Sequence, residues 1–168
     1  IGIIGTGRIG GRVLRRLAGF GTPRILVNDT NPNLEVAPEL KLEWVGKEEI
    51  YRHADLISLH VPMTVQTKNM IQREQLLMMK PDAMIINTSR GGIINEYDLA
   101  EVLSGVHLNG AAIDVFEQEP YTGALSQTDR CLLTSHMGSM SIDCRTRMEI
   151  ESTEETVRFL TGKSLQGL

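Results

Sequence analysis

The beginning of the chain contains the pattern that constrains the fold most. An apolar run at residues 1–4 leads directly into Gly5-x-Gly7-x-x-Gly10. Glycines at this spacing allow a tight turn, a close approach of the backbone to a ligand, and close packing of a helix on the preceding strand. The spacing also occurs by chance, so an ordinary glycine-rich turn between a strand and a helix is the alternative interpretation.

A second apolar run ends in Val27-Asn28-Asp29, which places an acidic residue 19 positions after Gly10. Strand, glycine turn, helix, strand and acid is the order of a dinucleotide-binding unit, in which the helix N-terminus faces the phosphates. A carboxylate can accept hydrogen bonds from the ribose hydroxyls of NAD, whereas a 2′-phosphate ~4 Å away would cost about 4 kcal/mol in charge repulsion. Residues 29–36 contain no Arg or Lys that could bind such a phosphate. The pattern therefore predicts NAD rather than NADP.

Short apolar segments alternate with segments of helical spacing along the rest of the chain. Strands are predicted at residues 1–4, 24–28, 42–45, 56–60, 84–88, 110–115 and 131–134. Continuous apolar runs are typical of strands that are buried on both faces of a parallel sheet. We therefore expect an α/β protein with a doubly wound, mainly parallel sheet in three αβα layers, which is the Rossmann fold.

Helices are expected between these strands. Ile9, Val13 and Leu17 recur at helical spacing, so they are expected to form a stripe along the first helix. Further helices are predicted at residues 48–53 and 73–79, after an N-cap at Asn95 with Leu99, Val102 and Leu103 buried, and at 141–160. Residues 32–38 are expected to be a loop, because they contain two prolines beside polar residues.

Composition limits the classes of function. With 168 residues, 41% hydrophobic and 23% charged, the chain is typical of one soluble globular domain. A net charge of −4 gives no attraction to nucleic acid or an anionic membrane. No apolar run approaches the ~20 residues of a membrane span. Ile1 already lies in a predicted strand of a kind that is usually central, so we expect a domain excised from a longer protein.

The two cysteines bear on the compartment and on metals. Cys131 and Cys144 have the spacing of neither a metal site nor a redox motif, and no metal site is predicted. They fit a reducing compartment as buried or idle thiols. We therefore expect a cytoplasmic protein.

Several predicted strands are followed by polar residues, at the edge where open α/β sheets bind ligands. These segments are His60-Val61-Pro62, Asn87-Thr88-Ser89-Arg90-Gly91-Gly92, Asp114 with Glu119-Pro120 in the loop beyond, and Ser135-His136-Met137-Gly138. An arginine can hold a carboxylate with its guanidinium, and a histidine can give or take the proton of an alcohol. A glutamate bound to that histidine would favour the protonated imidazole. These residue types suit the oxidation of an alcohol beside a carboxylate.

Each of these residues also has an ordinary structural explanation. The histidine could be a buried residue whose hydrogen bonds are satisfied, the arginine an exposed loop cation, and the glutamate a turn carboxylate. Their joint position after predicted strands favours the chemical interpretation without removing the structural one. Asp114, directly behind its own strand, is expected to contact the nicotinamide side of the cofactor.

Four segments carry a resemblance to a known family. They are Gly-Ile-Ile-Gly-Thr-Gly-Arg-Ile-Gly at 2–10, His-Val-Pro-Met-Thr-Val-Gln-Thr at 60–67, Met-Lys-Pro-Asp-Ala-Met-Ile-Ile-Asn-Thr-Ser-Arg-Gly-Gly at 79–92, and Ala-Ala-Ile-Asp-Val-Phe-Glu-Gln-Glu-Pro at 111–120. Together they resemble the NAD-binding domain of the D-isomer-specific 2-hydroxyacid dehydrogenases, phosphoglycerate dehydrogenase-like members above all, over residues 1–160. The resemblance implies an oxidoreductase that transfers a hydride between NAD and a D-2-hydroxy acid or 2-keto acid, as in phosphoglycerate dehydrogenase or hydroxypyruvate/glyoxylate reductase.

The resemblance also implies site residues. Arg90, Glu119 and His136 match the family's catalytic arginine, glutamate and histidine. Its cofactor contacts match Arg8, Ile9, Asp29, Val61, Pro62, Thr67, Thr88, Asp114 and Gly138. The predicted cofactor site is completed by Gly5, Gly7, Gly10, His60, Ser89, Arg90 and His136. Ser135 departs from the proline that members usually place before the histidine, which puts the rigidity of that loop in question.

Further implications concern the whole protein. Family members dimerise through the cofactor domain, so a homodimer is expected. They also carry a substrate domain that this chain lacks, so the 168 residues alone are expected to bind NAD with negligible turnover of a 2-hydroxy or 2-keto acid. The pocket that selects the acid would lie largely on the missing domain.

Two other functions are compatible with the pattern. A non-catalytic NAD-sensing module is the first, because transcriptional corepressors resemble the same family and keep the same three residues. A purely structural Rossmann domain is the second, and it leaves the coincidence of Arg90, Glu119 and His136 unexplained.

Overall fold

The computed structural model describes residues 1–21 and 23–166. The strands are β1 Gly2–Ile4, β2 Ile25–Asn28, β3 Leu42–Trp44, β4 Leu56–Leu59, β5 Met84–Asn87, β6 Gly110–Ile113 and β7 Cys131–Leu133. The α-helices are α1 Arg8–Leu17, α2 Lys47–His53, α3 Arg73–Met78, α4 Glu96–Ser104 and α5 Ile142–Leu160. The chain divides into two compact units, Ile1–Ser135 and a second that begins at His136 and contains α5.

The strands form one parallel sheet in the order β3-β2-β1-β4-β5-β6-β7. The chain moves outward from β1 to β3 and then returns to place β4 on the other side of β1. The predicted doubly wound sheet is therefore confirmed, and every predicted strand is present with slightly shorter bounds. The carboxyl ends of β1 and β4 form the switch point of this topology, where ligands bind in such sheets.

Side chains of the first unit pack on both faces of the sheet. Because successive strand residues point to opposite faces, Ile3 and Ile4 belong to two different buried clusters. Ile3 shares its cluster with Leu14 of α1, whereas Ile4 shares the larger one with Ile50 of α2 and Leu76 of α3. This arrangement confirms the three αβα layers.

The expectation that all strands are buried on both faces holds only for part of the sheet. β1 is fully buried, but β3 and β7 have no fully buried residue. Leu132 of β7 is 66% exposed and Met84 of β5 is 44% exposed. β3 and β7 lie at the two edges of the sheet and have fewer neighbours to cover them, which an apolar run in the sequence does not reveal.

The predicted stripe of Ile9, Val13 and Leu17 lies on α1, and Val13 and Leu17 pack against the cluster that contains Leu14. Ile9 is 58% exposed, and the other two are half-buried. The residues of α1 that are buried are Gly10, Gly11 and Leu14. Two of these three residues are glycines, and a Cβ on Gly10 would lie 1.9 Å from the Gly5 carbonyl oxygen, so this part of the buried face has no room for a larger side chain.

The other predicted helices are confirmed. Asn95 caps α4 by accepting a hydrogen bond from the Asp98 N–H at 3.0 Å. Ser141 caps α5 in the same way through the Cys144 N–H. α2 begins at Lys47, one residue before its predicted start, and residues 32–38 form turns as expected. Leu99, Val102 and Leu103 are buried.

Both cysteines are free and half-buried, and burial raises the pKa of the Cys131 thiol to about 11. In the described part of the chain no helix has the length and apolar character to cross a membrane. Across residues 1–21 and 23–166, His, Cys, Asp and Glu side chains form no group of three that could hold a metal ion.

Candidate functional site

The glycine turn between β1 and α1 requires glycine at two positions for steric reasons. Gly5 has a φ of 94°, and a Cβ on it would lie 2.4 Å from the carbonyl oxygen of His60. A Cβ on Gly10 would lie 1.9 Å from the Gly5 carbonyl oxygen. The helix and the strands β1 and β4 can therefore meet this closely only without side chains.

Gly7 has a different role, because a Cβ on it would meet no atom within 4 Å. It is the N-cap of α1, and no side chain caps this helix in the part of the chain that the structure describes. The N–H groups of the first helical turn thus have no capping side chain as a partner. Proteins often bind phosphate groups at a helix N-terminus of this kind.

Asp29 follows β2 directly and is held by three hydrogen bonds. Thr6 donates two of them to Oδ2, from its N–H at 2.6 Å and from its hydroxyl at 3.0 Å. The Asn31 N–H donates to Oδ1 at 2.9 Å. Burial acts to raise the pKa of Asp29, but these donors outweigh it and hold the pKa below its ordinary value. An ionised carboxylate is thereby fixed beside the glycine turn.

A cleft of about 210 Å³ opens at the carboxyl ends of β1, β4 and β5. It coincides with the switch point of the sheet, and Ile9, exposed on α1, forms part of its wall. The residues that line it were all predicted as cofactor contacts, namely Ile9, His60, Val61, Pro62, Thr88, Ser89 and Arg90. The structure therefore brings together three segments that are far apart in the sequence.

His60 lines this cleft with an uncharged imidazole. Its Nε2 lies 3.0 Å from the hydroxyl oxygen of Ser58, a buried residue of β4. Burial lowers the pKa of His60, which keeps the imidazole neutral near pH 7.

Thr67 stabilises the loop after β4. Its hydroxyl donates to the Pro62 carbonyl oxygen at 2.6 Å and accepts from the Thr64 N–H at 2.7 Å. These bonds fix the segment that contributes Pro62 to the cleft. The cofactor contact predicted for Thr67 itself stays a prediction.

Arg90 stands at the end of a turn that is organised by Asn87. The Asn87 side chain is 2% exposed, and its amide donates to the Arg90 carbonyl oxygen at 2.9 Å. Its Oδ1 accepts from the N–H of Ser89 at 3.1 Å and from the Ser89 hydroxyl at 2.7 Å. The Arg90 side chain is exposed, and its Nη1 donates to the Ser89 carbonyl oxygen at 2.6 Å. The backbone of Arg90 is fixed, while its guanidinium can be reached from solvent.

The loop that carries Glu119 lies against this turn, because Gly91 packs directly on the backbone of Phe116. Glu119 is exposed, and its Oε1 accepts a hydrogen bond from the Phe116 N–H at 3.1 Å. Two of the three predicted catalytic residues, Arg90 and Glu119, are therefore on neighbouring loops of the first unit.

Asp114 is 8% exposed at the end of β6, where its Oδ1 accepts a hydrogen bond from the Thr134 hydroxyl at 2.5 Å. Its N–H donates to the Asn87 carbonyl oxygen at 3.0 Å, which extends the ladder between β5 and β6. Its predicted contact with the nicotinamide stays a prediction.

His136 and Gly138 belong to the second unit, and Arg8 is the exposed first residue of α1. His136 has a φ of 52°, in the left-handed region that few non-glycine residues adopt. The predicted gathering of Arg90, Glu119 and His136 around one ligand stays a prediction.

Sequence reasoning assigned no individual role to three residues that shape the site. Thr6 holds Asp29, Asn87 holds the Arg90 turn, and Glu96 accepts the Glu117 N–H at 2.7 Å and so ties the Glu119 loop to α4. Burial and the nearby Glu117 charge raise the pKa of Glu96 despite this hydrogen bond. Only Asn87 gave a signal, as a polar amide at the end of an otherwise apolar strand.

Comparisons with known proteins show the family of this chain. Residues 1–138 match the family described as D-isomer specific 2-hydroxyacid dehydrogenase, NAD binding domain. A glyoxylate reductase of Korarchaeum cryptofilum is 39% identical over 165 residues, which are 97% of this chain and 49% of that protein. A D-3-phosphoglycerate dehydrogenase of Mycobacterium tuberculosis is 32% identical over 97% of this chain and 31% of its own length.

Solved structures show the same fold. D-lactate dehydrogenase with NAD⁺ from Lactobacillus jensenii matches with a TM-score of 0.86 at 26% identity, over 98% of this chain and 53% of that one. D-mandelate dehydrogenase of Rhodotorula graminis matches with a TM-score of 0.89 at 30% identity, over 98% of this chain and 49% of that one. The chain thus spans about half the length of most of these proteins.

Proposed function

The chain belongs to the D-isomer specific 2-hydroxyacid dehydrogenase, NAD binding domain family, and on this premise we propose that it is the cofactor domain of an oxidoreductase. The reaction is the transfer of a hydride between NAD and a small D-2-hydroxy acid or its 2-keto acid. The main support is the cleft at the switch point, which lies between the glycine turn and the loop that ends in Arg90. The named relatives, glyoxylate reductase and phosphoglycerate dehydrogenase, favour the same substrate class.

The chain's own residues fit NAD. Gly7 leaves the start of α1 open for the pyrophosphate, and Asp29 offers a fixed negative charge to the ribose hydroxyls. The cleft beside Ile9 and Val61 is available to the nicotinamide end. When bound, NAD accepts or supplies the hydride.

Three residues carry the remaining chemistry in this proposal. Arg90 binds the substrate carboxylate. To do so, its Nη1 gives up the hydrogen bond to the Ser89 carbonyl oxygen and donates to a carboxylate oxygen of the substrate instead. His136 gives a proton to the keto oxygen during reduction and takes it from the hydroxyl during oxidation. Glu119 stabilises the protonated imidazole. Acid–base catalysis of this kind contributes ~10²–10⁴ in rate.

The organisation of the whole protein is also part of the proposal. Residues 1–168 form one cofactor domain, and a substrate domain comes from outside this chain, which agrees with its coverage of 49% of the glyoxylate reductase. The chain alone then binds NAD with negligible turnover. By family resemblance the protein is a homodimer, which sedimentation would test. The two free cysteines favour the cytoplasm, which cell fractionation would test.

The test is NADH oxidation by the complete protein with glyoxylate, pyruvate, hydroxypyruvate and phosphohydroxypyruvate. We expect turnover of at least one acid, a fall in kcat of about 10²–10⁴ in His136→Ala, and a much smaller change in the Kd for NADH. His53→Ala is the matched control, because His53 is an exposed histidine on α2. Tight NADH binding without turnover of any acid would favour the NAD-sensing alternative, and an unchanged kcat in His136→Ala would contradict the assigned role.

A further inference from the structure

We infer that Thr6 is a positioning residue for cofactor choice: it holds the Asp29 carboxylate in the orientation that accepts NAD and rejects NADP. The inference rests on the proposed function, because it concerns the same cofactor. Thr6 is the variable residue between the first two glycines of the turn, so the glycine spacing itself assigns it no role.

The contact is specific and buried on the side of Thr6. The Thr6 residue is 5% exposed, and both of its donors converge on one oxygen, Oδ2 of Asp29, at 2.6 Å and 3.0 Å. A carboxylate oxygen accepts about two hydrogen bonds in its plane, so Thr6 saturates Oδ2. Oδ1 accepts from the Asn31 N–H and keeps acceptor capacity for a ligand.

These bonds restrict rotation of the carboxylate. Donors from two separate segments, Thr6 before α1 and Asn31 after β2, hold its two oxygens. The carboxylate therefore cannot turn its charge away from a 2′-phosphate without breaking hydrogen bonds. It also needs no reordering when a ribose hydroxyl approaches, which favours binding.

Of the two Thr6 groups that bind Asp29, only the hydroxyl can be removed by mutation. The bond from the Thr6 N–H persists with any side chain at that position other than proline, whereas Thr6→Val keeps the shape and deletes the hydroxyl donor. Thr6→Ser keeps the hydroxyl and is the matched control. Asp29→Asn removes the charge on which the hydroxyl acts.

The experiment is calorimetric titration of the complete protein with NADH and with NADPH. We compare the wild type with Thr6→Val, Thr6→Ser, Asp29→Asn and the double variant that combines Thr6→Val with Asp29→Asn. In Thr6→Val we expect the Kd for NADH to rise roughly tenfold, as for loss of one hydrogen bond to a charged group, while the Kd for NADPH does not rise. Thr6→Ser should stay within about twofold of wild type. In the Asp29→Asn background, Thr6→Val should leave the ratio of the two Kd values unchanged.

Other results would overturn the inference. If the hydroxyl is merely structural, its loss would raise the Kd values for NADH and NADPH by the same factor or change neither. If its loss still changes the ratio of the two Kd values in Asp29→Asn, Thr6 acts through another group. If Thr6→Val does not unfold cooperatively on heating, Thr6→Ala replaces it in the titrations, because it lacks the same hydroxyl. A wild-type protein that binds neither dinucleotide overturns the proposed function as well, and this is seen before any variant is compared.

Discussion

A Cβ atom on Gly91 would lie 1.9 Å from the carbonyl oxygen of Phe116. It would also lie 2.5 Å from the Glu117 nitrogen. Two backbones touch here without a side chain between them, one continuing from Arg90 and the other leading to Glu119. The spacing of the two loops that carry predicted catalytic groups is therefore set by backbone contact.

Gly91→Ala is expected to separate these loops. Neither neighbour can yield, because both contacts are to backbone atoms, so we expect unfolding to become easier by about 2 kcal/mol, together with a lower kcat/KM. Urea unfolding and steady-state kinetics of the complete protein measure this. Gly19→Ala is the control, since a Cβ there meets nothing within 4 Å, and its stability should stay within about 0.5 kcal/mol of wild type. A Gly91→Ala variant as stable as this control would disprove the steric argument.

Gly7→Ala should separate binding from folding. The added methyl meets no protein atom within 4 Å, so thermal stability should be retained. It would project into the open space at the start of α1, where we place the pyrophosphate, so the Kd for NADH should rise about tenfold or more. Calorimetric titration beside a melting curve distinguishes the two effects. Unchanged NADH affinity would move the pyrophosphate away from Gly7.

Asn87→Ala should destabilise the Arg90 turn. The Asn87 amide is buried and makes three hydrogen bonds, and their loss leaves the Arg90 carbonyl and the Ser89 N–H without this partner. We expect a loss of about 2–3 kcal/mol in the free energy of unfolding and a raised KM for the 2-keto acid. Ser89→Ala removes only one of these bonds and should cost about 1 kcal/mol or less. Equal losses in the two variants would argue against Asn87 as the organiser.

Asp29 should make stability depend on pH in acid. Its pKa in the folded protein lies below the ordinary value of 3.8, so its contribution is complete above that value and is lost as the pH falls through the folded pKa. The difference in the free energy of unfolding between wild type and Asp29→Asn should therefore be largest above about pH 5 and shrink towards pH 2.5. Urea unfolding across this range measures it, with exposed Asp82→Asn as the control for net charge. A difference that grows in acid would contradict the assigned hydrogen bonds.

The parallel sheet could be predicted from the sequence because its central strands are short apolar runs. Residues 2–4 and 25–27 are apolar and buried, and the glycine motif and Asp29 give the direction from strand to helix and back. Exposure at the edge of the sheet could not be predicted, since Leu132 is as apolar as Leu59 although one is 66% exposed and the other 0%. Only the number of covering neighbours distinguishes them.

Helical spacing predicted α1 correctly but did not predict how deeply each residue of its stripe is buried. Ile9 and Leu17 have the spacing of a buried stripe, but Gly10 and Gly11 let the helix come so close to the sheet that they occupy the buried face themselves. Ile9 is left to line the cleft. Helical spacing records which residues share a face, and not how close the neighbouring element lies.

By itself, the sequence determined the doubly wound fold and the segments that line the cleft, and it predicts a preference for NAD through Asp29, because each of these depends on local residue types in a short span. Only the tertiary structure decided which polar groups hold them. Thr6 meets Asp29, Gly91 meets Phe116 and Glu96 meets Glu117 across gaps of more than 20 residues. Such pairs form when distant strand ends meet at one edge of the sheet, and no local pattern encodes that meeting.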